Sequence, residues 1–104
     1  MVEVNESSDG RKVDVPLDNE LQISLSENPT TGFQWVAEDL AKAVCDLVDD
    51  QFESGDPSAR GSSGMHHWRL RANKKGEGRI VLNYKRSWET KPASKSFTIT
   101  VRVN

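Results

Sequence analysis

Few residues in this sequence are able to do catalytic or metal chemistry. Cys45 is the one cysteine, so no disulfide within the chain is possible, and nothing near it suggests a base that would activate it as a nucleophile. His66 and His67 are adjacent in an alternating segment, where neighbours point to opposite faces, so they cannot bind one metal ion in regular geometry. We interpret Cys45 as a small buried side chain and the histidines as one packed and one exposed imidazole.

Hydroxyl and carboxylate groups also lack the spacing of known sites. Ser62 and Ser63 are not surrounded by the nucleophile elbow of a hydrolase. Asp49, Asp50 and Asp56 do not have the spacing of a calcium loop, and we interpret them as solvated turn residues. The sequence therefore predicts a protein that is not an enzyme, with no catalytic residue, no metal site and no cofactor.

The most distinctive short stretch is an uncharged loop that reads Asn28-Pro29-Thr30-Thr31-Gly32. The proline fixes one of its own backbone angles and disfavours helix at the residue before it. The glycine allows backbone conformations that are closed to other residues. This combination predicts a stiff loop with two threonine hydroxyls at its tip. An ordinary turn would use the same residue types, so the stretch alone does not assign a function.

Period-two alternation of apolar residues dominates the chain and predicts strands with one buried face. Polar residues on the other face predict antiparallel sheets with one solvent-exposed side. The expected strands are 12–17, 20–26, 33–38, 43–54, 65–72, 79–85 and 96–103. Their expected inward residues include Val13, Val15 and Leu17; Leu21, Ile23 and Leu25; Phe33, Trp35 and Ala37; His66, Trp68, Leu70 and Ala72; Ile80, Leu82 and Tyr84; and Phe97, Ile99, Val101 and Val103. This pattern predicts an all-β, immunoglobulin-like antiparallel β-sandwich of about seven strands.

The middle of the chain has two interpretations. Leu40, Val44 and Leu47 recur at helical spacing, which would suit a short helix. The alternative is a strand with Cys45 and Leu47 inward and Asp46 outward, and we favour it because the neighbouring segments are strands. Residues 54–64 are rich in glycine and serine, and they are few enough to form a loop within one domain.

Strand parity predicts that three connections share one end of the sandwich. If each strand reverses the direction of the last, alternate connections lie at the same end. These are the connections "ENPTTG", "DPSARGSSG" and "RSWETKPASK", whereas the opposite end has shorter turns such as "NKKGEG". We expect Trp88, which charged and polar residues surround, to be exposed in the third connection, and Trp35 and Trp68 to be buried. The three connections predict a composite functional surface.

These connections carry the residues of a resemblance to the chagasin family, the protein inhibitors of papain-like cysteine proteases. The family is marked by an N-P-T-T-G-[FY] loop, a G-x-G-G loop and an R-P-W loop before the last strand. The first motif is matched without a break, and the other two depart from the family at one position each, Ser63 in place of glycine and Ser87 in place of proline. The matching residues are Asn28, Pro29, Thr30, Thr31, Gly32 and Phe33; Gly61, Ser62, Ser63 and Gly64; and Arg86, Ser87 and Trp88.

The resemblance implies that these residues contact a protease and that the chain is a reversible, non-covalent, competitive inhibitor. In the family the first loop lies over the catalytic Cys–His pair, which would place Thr30 and Thr31 nearest to it. The glycine loop runs along the non-primed side as extended backbone, and the third loop reaches the primed side, where Arg86 and Trp88 would anchor it. The partners implied are papain-like, cathepsin-like cysteine proteases. The alternative function is an immunoglobulin-like adhesion or structural module without inhibitory activity.

Composition and charge limit the remaining possibilities. The chain has 104 residues and a net charge of −2, which suits one domain over residues 1–104, with 1–10 expected to be loosely ordered. Scattered basic residues give no electrostatic reason to expect nucleic acid or a membrane as a partner, and we expect a monomer. No apolar run approaches the roughly 20 residues of a membrane-spanning helix, and no signal-peptide core is present. We therefore expect a cytoplasmic protein or the mature form of a secreted or periplasmic one.

Overall fold

Eight strands in two sheets form the fold. The computed structural model describes residues 1–28, 32–53, 64–86, 88 and 95–104. The strands are β1 Val2–Val4, β2 Lys12–Val15, β3 Glu20–Glu27, β4 Phe33–Leu40, β5 Cys45–Glu53, β6 Gly64–Ala72, β7 Gly76–Arg86 and β8 Lys95–Val103, with a 3-10 helix at Glu6–Ser8. The sheet orders are β1-β3-β6-β5 and β2-β8-β7-β4. The predicted all-β sandwich is confirmed, and β1 is the strand beyond the expected seven.

Both sheets direct their apolar faces into one core, as period-two alternation predicts. In the antiparallel pair β3–β6, Leu21 lies opposite Leu70 and Ile23 lies opposite Trp68, and all four are buried. The second sheet contributes inward residues from β4, β7 and β8. The buried hydrophobic residues are Val4, Val15, Leu21, Ile23, Leu25, Trp35, Ala41, Val44, Cys45, Trp68, Leu70, Ala72, Ile80, Leu82, Phe97, Ile99, Val101 and Val103.

The N-terminal segment differs from the expectation of a loosely ordered stretch. β1 pairs parallel with β3, and β2 pairs parallel with β8, so these two pairs depart from the expected antiparallel arrangement. Between them, Ser26 N donates to the Glu6 carboxylate at 2.6 Å, and Gly10 N donates to the Thr98 carbonyl at 2.7 Å. Residues 1–15 therefore connect the two sheets by crossing from the edge of one to the edge of the other.

The middle segment forms a strand, as favoured over a helix. β5 begins at Cys45, which is buried, but Leu47 is 45% exposed, so the inward placement of Leu47 was wrong. β5 is the edge of its sheet and has a neighbour on one side only. A bulge between Leu47 and Asp49 also interrupts its pairing with β6. An edge position and a bulge both leave side chains uncovered.

Two further residues expected to be inward are exposed. Leu17 lies beyond the end of β2 at Val15, so it has left the buried face of that strand. Ala37 lies on β4, the edge strand of its sheet, and directly precedes a bulge in the pairing of β4 with β7. An edge position beside a bulge leaves a side chain uncovered. None of the described residues forms a helix that is long and apolar enough to cross a membrane.

Candidate functional site

The ends of six strands bring the bases of the three long connections together. At the end of β3, Glu27 lies opposite Gly64, the first residue of β6. At the start of β4, Phe33 lies opposite Arg86, the last residue of β7. Lys95 begins β8 opposite Tyr84, and β5 ends beside the start of β6. The prediction that the three connections share one end is confirmed for the described residues that flank them, and we call this the loop end.

Hydrogen bonds from side chains hold the base of the first connection. The Asn28 backbone N–H donates to the Tyr84 hydroxyl at 3.1 Å. The Trp35 backbone N–H donates to Glu27 Oε1 at 2.8 Å, and its indole N–H donates to the Ser26 carbonyl at 2.9 Å. The two bonds from Trp35 tie the residues before the connection to β4 after it, and the bond from Asn28 ties them to β7. The loop therefore starts and ends on fixed backbone. Three predicted site residues, Pro29, Thr30 and Thr31, lie outside the described residues.

Trp88 brings the third connection into contact with the first. Its side chain is 68% exposed, which confirms the predicted exposure, and Trp35 and Trp68 are buried as predicted. Gly32 has a φ of 81°, and a Cβ added to it would lie 2.3 Å from Cη2 of Trp88. The indole therefore lies directly against the glycine backbone, in space that a side chain at this position would occupy.

Arg86 and Phe33 form a stack at the base of the same two connections. The Arg86 guanidinium carbon lies 4.5 Å from the centroid of the Phe33 ring. Phe33 in turn stacks on Tyr84 with a centroid distance of 5.3 Å and an interplanar angle of 16°. Both residues are half-buried, so they connect β4 to β7 and also reach the loop end. Ser87, between Arg86 and Trp88, lies outside the described residues.

The glycine that ends the second connection is needed by the strand pairing itself. Gly64 is buried, and a Cβ there would lie 2.3 Å from the Glu53 carbonyl oxygen and 2.6 Å from the Phe52 ring. This close approach of β5 is a sufficient reason for a glycine at position 64, whether or not the residue also contacts a protease. Gly61, Ser62 and Ser63 lie outside the described residues.

Phe52 is a loop-end residue that sequence reasoning missed. Its side chain is 41% exposed and lines a cavity of about 440 Å³ together with residues of the first and third connections. The signal for it was an aromatic residue two positions before a glycine- and serine-rich connection. The other residues around this cavity are Glu27, Gly32, Phe33, Gln34, His66 and Trp88.

A match to a family decides what kind of protein has this loop end. The model of the "Chagasin family peptidase inhibitor I42" matches residues 14–102, which include every strand from β3 to β7, half of β2 and most of β8. The chain belongs to the chagasin family. The chagasin-family motifs in the sequence are thus supported by similarity over nearly the whole chain.

Individual chagasin-family relatives agree with this assignment. Amoebiasin-1 of Entamoeba histolytica is 34% identical over 82 residues, which are 79% of this chain and 79% of the relative. Chagasin of Trypanosoma cruzi is 28% identical over 107 aligned positions, which cover 97% of this chain and 96% of the relative. Among solved structures, the cysteine protease inhibitor EhICP2 from Entamoeba histolytica has a TM-score of 0.89 at 26% identity, covering 99% of this chain and 95% of that one.

The chemistry of the described residues suits a chagasin-family inhibitor better than a catalyst. The chain is a peptidase inhibitor of the chagasin family and not an enzyme. Burial, and then the negative charge of Asp46, raise the pKa of the Cys45 thiol, and Cys45 starts β5, roughly 25 Å along that strand from the loop end. His66 and His67 occupy opposite faces of β6, and among the described residues no three His, Cys, Asp or Glu side chains are placed so that they could hold one metal ion.

Proposed function

We propose that the chain inhibits its protease reversibly and without covalent reaction, by placing the loop end in the substrate cleft. The observation that supports this most directly is the contact between Trp88 and Gly32 at an end where all three motif connections begin. An exposed tryptophan that is already packed on the neighbouring loop loses little freedom on binding. Rigidity of this kind lets an interface of ordinary size bind tightly.

The proposed role of the first connection is to occupy the cleft without being cut. A thiolate–imidazolium pair attacks a carbonyl that is delivered in near-attack geometry. Bonds from Asn28 to Tyr84 and from Trp35 to Glu27 fix both sides of this connection. A loop held in this way keeps its carbonyl carbons out of line for attack, while Thr30 and Thr31 offer hydroxyls to the protease histidine.

The third connection supplies the proposed hot spot. Tryptophan and arginine are the residue types most enriched at binding hot spots. Trp88 is exposed two residues beyond the end of β7, whereas Arg86 lies over Phe33 at the base. We therefore assign direct contact with the primed side to Trp88, and we assign to Arg86 the additional role of holding the strand end from which Trp88 projects.

A titration of papain with the wild-type chain and with two variants, each of which replaces one exposed apolar side chain by alanine, tests this proposal. The wild type should inhibit peptide hydrolysis competitively and be recovered uncleaved by mass spectrometry. Trp88→Ala should weaken inhibition by about 2 kcal/mol, or roughly 30-fold, without loss of stability. Leu17→Ala is the matched control, because Leu17 is an exposed apolar residue at the opposite end.

Three results would contradict the proposal. One is a wild type that leaves papain and several cathepsin-like proteases active, which would favour a structural or adhesion module. Another is equal weakening of inhibition by Leu17→Ala and Trp88→Ala. The third is accumulation of cleaved inhibitor at the rate of an ordinary substrate.

A further inference from the structure

Glu27 is the one charged side chain that is buried among the described residues, with 5% exposure. It is the last residue of β3 and continues the inward face of Leu21, Ile23 and Leu25. Its Oε1 accepts the Trp35 backbone N–H at 2.8 Å, and its Oε2 lies 2.8 Å from Nδ1 of His66. Burying a carboxylate is costly unless it is paired and hydrogen-bonded, and here both oxygens have partners.

His66 extends this contact to a third strand of the same sheet. Its ring stacks on Trp68 with a centroid distance of 3.9 Å and an interplanar angle of 2°. Nδ1 faces Glu27 on β3, and Nε2 contacts Asp50 Oδ1 on β5. The ring is held from three sides, with its side chain 15% exposed.

The chain of contacts from Trp35 through Glu27 and His66 to Asp50 crosses β4, β3, β6 and β5. Glu27 directly precedes Asn28, so the bond to Trp35 closes the base of the first connection. Asp50 lies on the strand that leads into the second connection. The contacts therefore span the bases of two connections that carry the family motifs.

We propose that His66 is a positioning residue for inhibition, which sets the first connection relative to the second by holding Glu27 and Asp50. This inference rests on the proposed function, since it matters only if both connections enter the protease cleft together. A fixed separation between two loops removes an ordering cost from binding. Without His66, Glu27 would remain buried with half of its carboxylate unpaired, and the end of β3 would have to shift to hydrate it.

His67 provides a matched comparison on the opposite face of β6. Its ring also lies between β3 and β5, with Nδ1 2.8 Å from Ser24 Oγ and Nε2 3.2 Å from Glu53 Oε2. Neither partner bonds to the base of the first connection among the described contacts. If a histidine affected inhibition only because it joins the three strands, replacing His66 and replacing His67 should therefore have equal effects on inhibition.

The experiment compares His66→Phe, His66→Asn and His67→Phe against papain, each at a temperature where urea unfolding shows it to be folded. Phenylalanine keeps the stacking on Trp68 but removes both polar contacts. Asparagine places a side-chain N–H close to where Nδ1 lies and so restores the donor to Glu27. We expect His66→Phe to raise the inhibition constant about 30-fold, His66→Asn to return to within about fivefold of wild type, and His67→Phe to change it less than about twofold.

A surface variant keeps the test decisive if His66→Phe does not fold. Asp50→Ala removes only the outer partner, whose side chain is 48% exposed, and leaves His66 and Glu27 paired. It should raise the inhibition constant about fivefold with little change in stability.

Specific outcomes would overturn the inference. They are wild-type inhibition by both His66→Phe and Asp50→Ala, no recovery in His66→Asn, or an equal loss in His67→Phe. If the wild-type chain itself does not inhibit papain, the proposed function fails first, and that result is separate from any difference among the histidine variants.

Discussion

The two ends of the sandwich are held by different kinds of bond. At the loop end, side chains accept hydrogen bonds from the backbone. The Tyr84 hydroxyl accepts from the Asn28 N–H, and the Glu27 carboxylate accepts from the Trp35 N–H. At the opposite end, backbone groups bond to each other within short turns and between neighbouring turns. Cys45 N donates to the Ala41 carbonyl at 2.8 Å, and Asn73 N donates to the Val44 carbonyl, also at 2.8 Å.

This difference follows from the length of the connections. A short turn brings its own backbone donors and acceptors within reach of each other, so it needs few side-chain partners. A long connection separates the strand ends, and the backbone groups at its base need partners from elsewhere. At the loop end these partners are polar side chains that point inward. We infer that substitutions of buried residues at the loop end affect inhibition and stability together, whereas those at the opposite end affect stability alone.

The largest expected effect compares two glycines at the two ends. A Cβ at Gly64 would lie 2.3 Å from the Glu53 carbonyl oxygen, and a Cβ at Gly78 would lie 2.8 Å from the Cβ of Ala41. Forced contacts of this kind cost about 1–3 kcal/mol. We expect Gly64→Ala to lower the free energy of unfolding by about 3 kcal/mol and to weaken inhibition, because β5 and β6 must separate next to the second connection.

Gly78→Ala is the control for this prediction. It should lower the free energy of unfolding by about 1–2 kcal/mol and leave the inhibition constant of the folded protein unchanged. Urea unfolding and papain titration measure the two quantities. Equal weakening of inhibition by both variants would show that inhibition simply follows stability, and the contrast between the two ends would fail.

A smaller effect tests whether the first and third connections act as one unit. Gly32 has a φ of 81°, and its added Cβ would lie 2.3 Å from the Trp88 indole. Gly32→Ala should therefore displace Trp88 and weaken inhibition about tenfold. In a Trp88→Ala background the same change should cost only about threefold, because no indole remains to be displaced. Papain titration of the four proteins in this cycle gives the coupling, and strict additivity would mean that the contact has no role in binding.

Alternation and parity were sufficient to predict most of the architecture. Residues such as Ile23, Trp68 and Ile99 are buried because strands expose every second residue to the core. Strand reversal places the motif connections at one end, which the pairing of Phe33 with Arg86 confirms. These predictions succeed because they depend on local geometry that repeats along the chain.

What the sequence did not reveal depends on contacts between distant segments. Leu47 has the spacing of an inward residue, but the edge position and the bulge of β5 decide its exposure. Glu27 looks like a surface charge, but it is buried and contacts His66, 39 positions away. The parallel pairing of β1 with β3 likewise has no periodic signal. The contacts of Thr30, Thr31 and the residues 61–63 with a protease remain predictions.

The smallest expected effect extends the comparison to the N-terminal segment. Burial acts to raise the pKa of Glu6, but hydrogen bonds from Ser26 and its own backbone, together with the positive charge of Lys95, outweigh burial. The pKa of Glu6 is therefore below its ordinary value of 4.5. Since the folded state has the lower pKa, the carboxylate stabilises the fold above the unfolded value, and this contribution is lost as the pH falls through the folded value.

Glu6→Gln should therefore be slightly less stable than wild type at neutral pH, and the difference should shrink as the pH falls below 4.5. Urea midpoints measured across this range give the difference, with Glu3→Gln as a control in the same exposed segment. Glu6 accepts a hydrogen bond from the Ser26 N–H, two residues before Asn28. A pH-dependent difference in stability between wild type and Glu6→Gln would therefore show that residues 5–8 also help to hold the loop end. Parallel curves for wild type and Glu6→Gln would instead restrict those contacts to the residues of the two sheets.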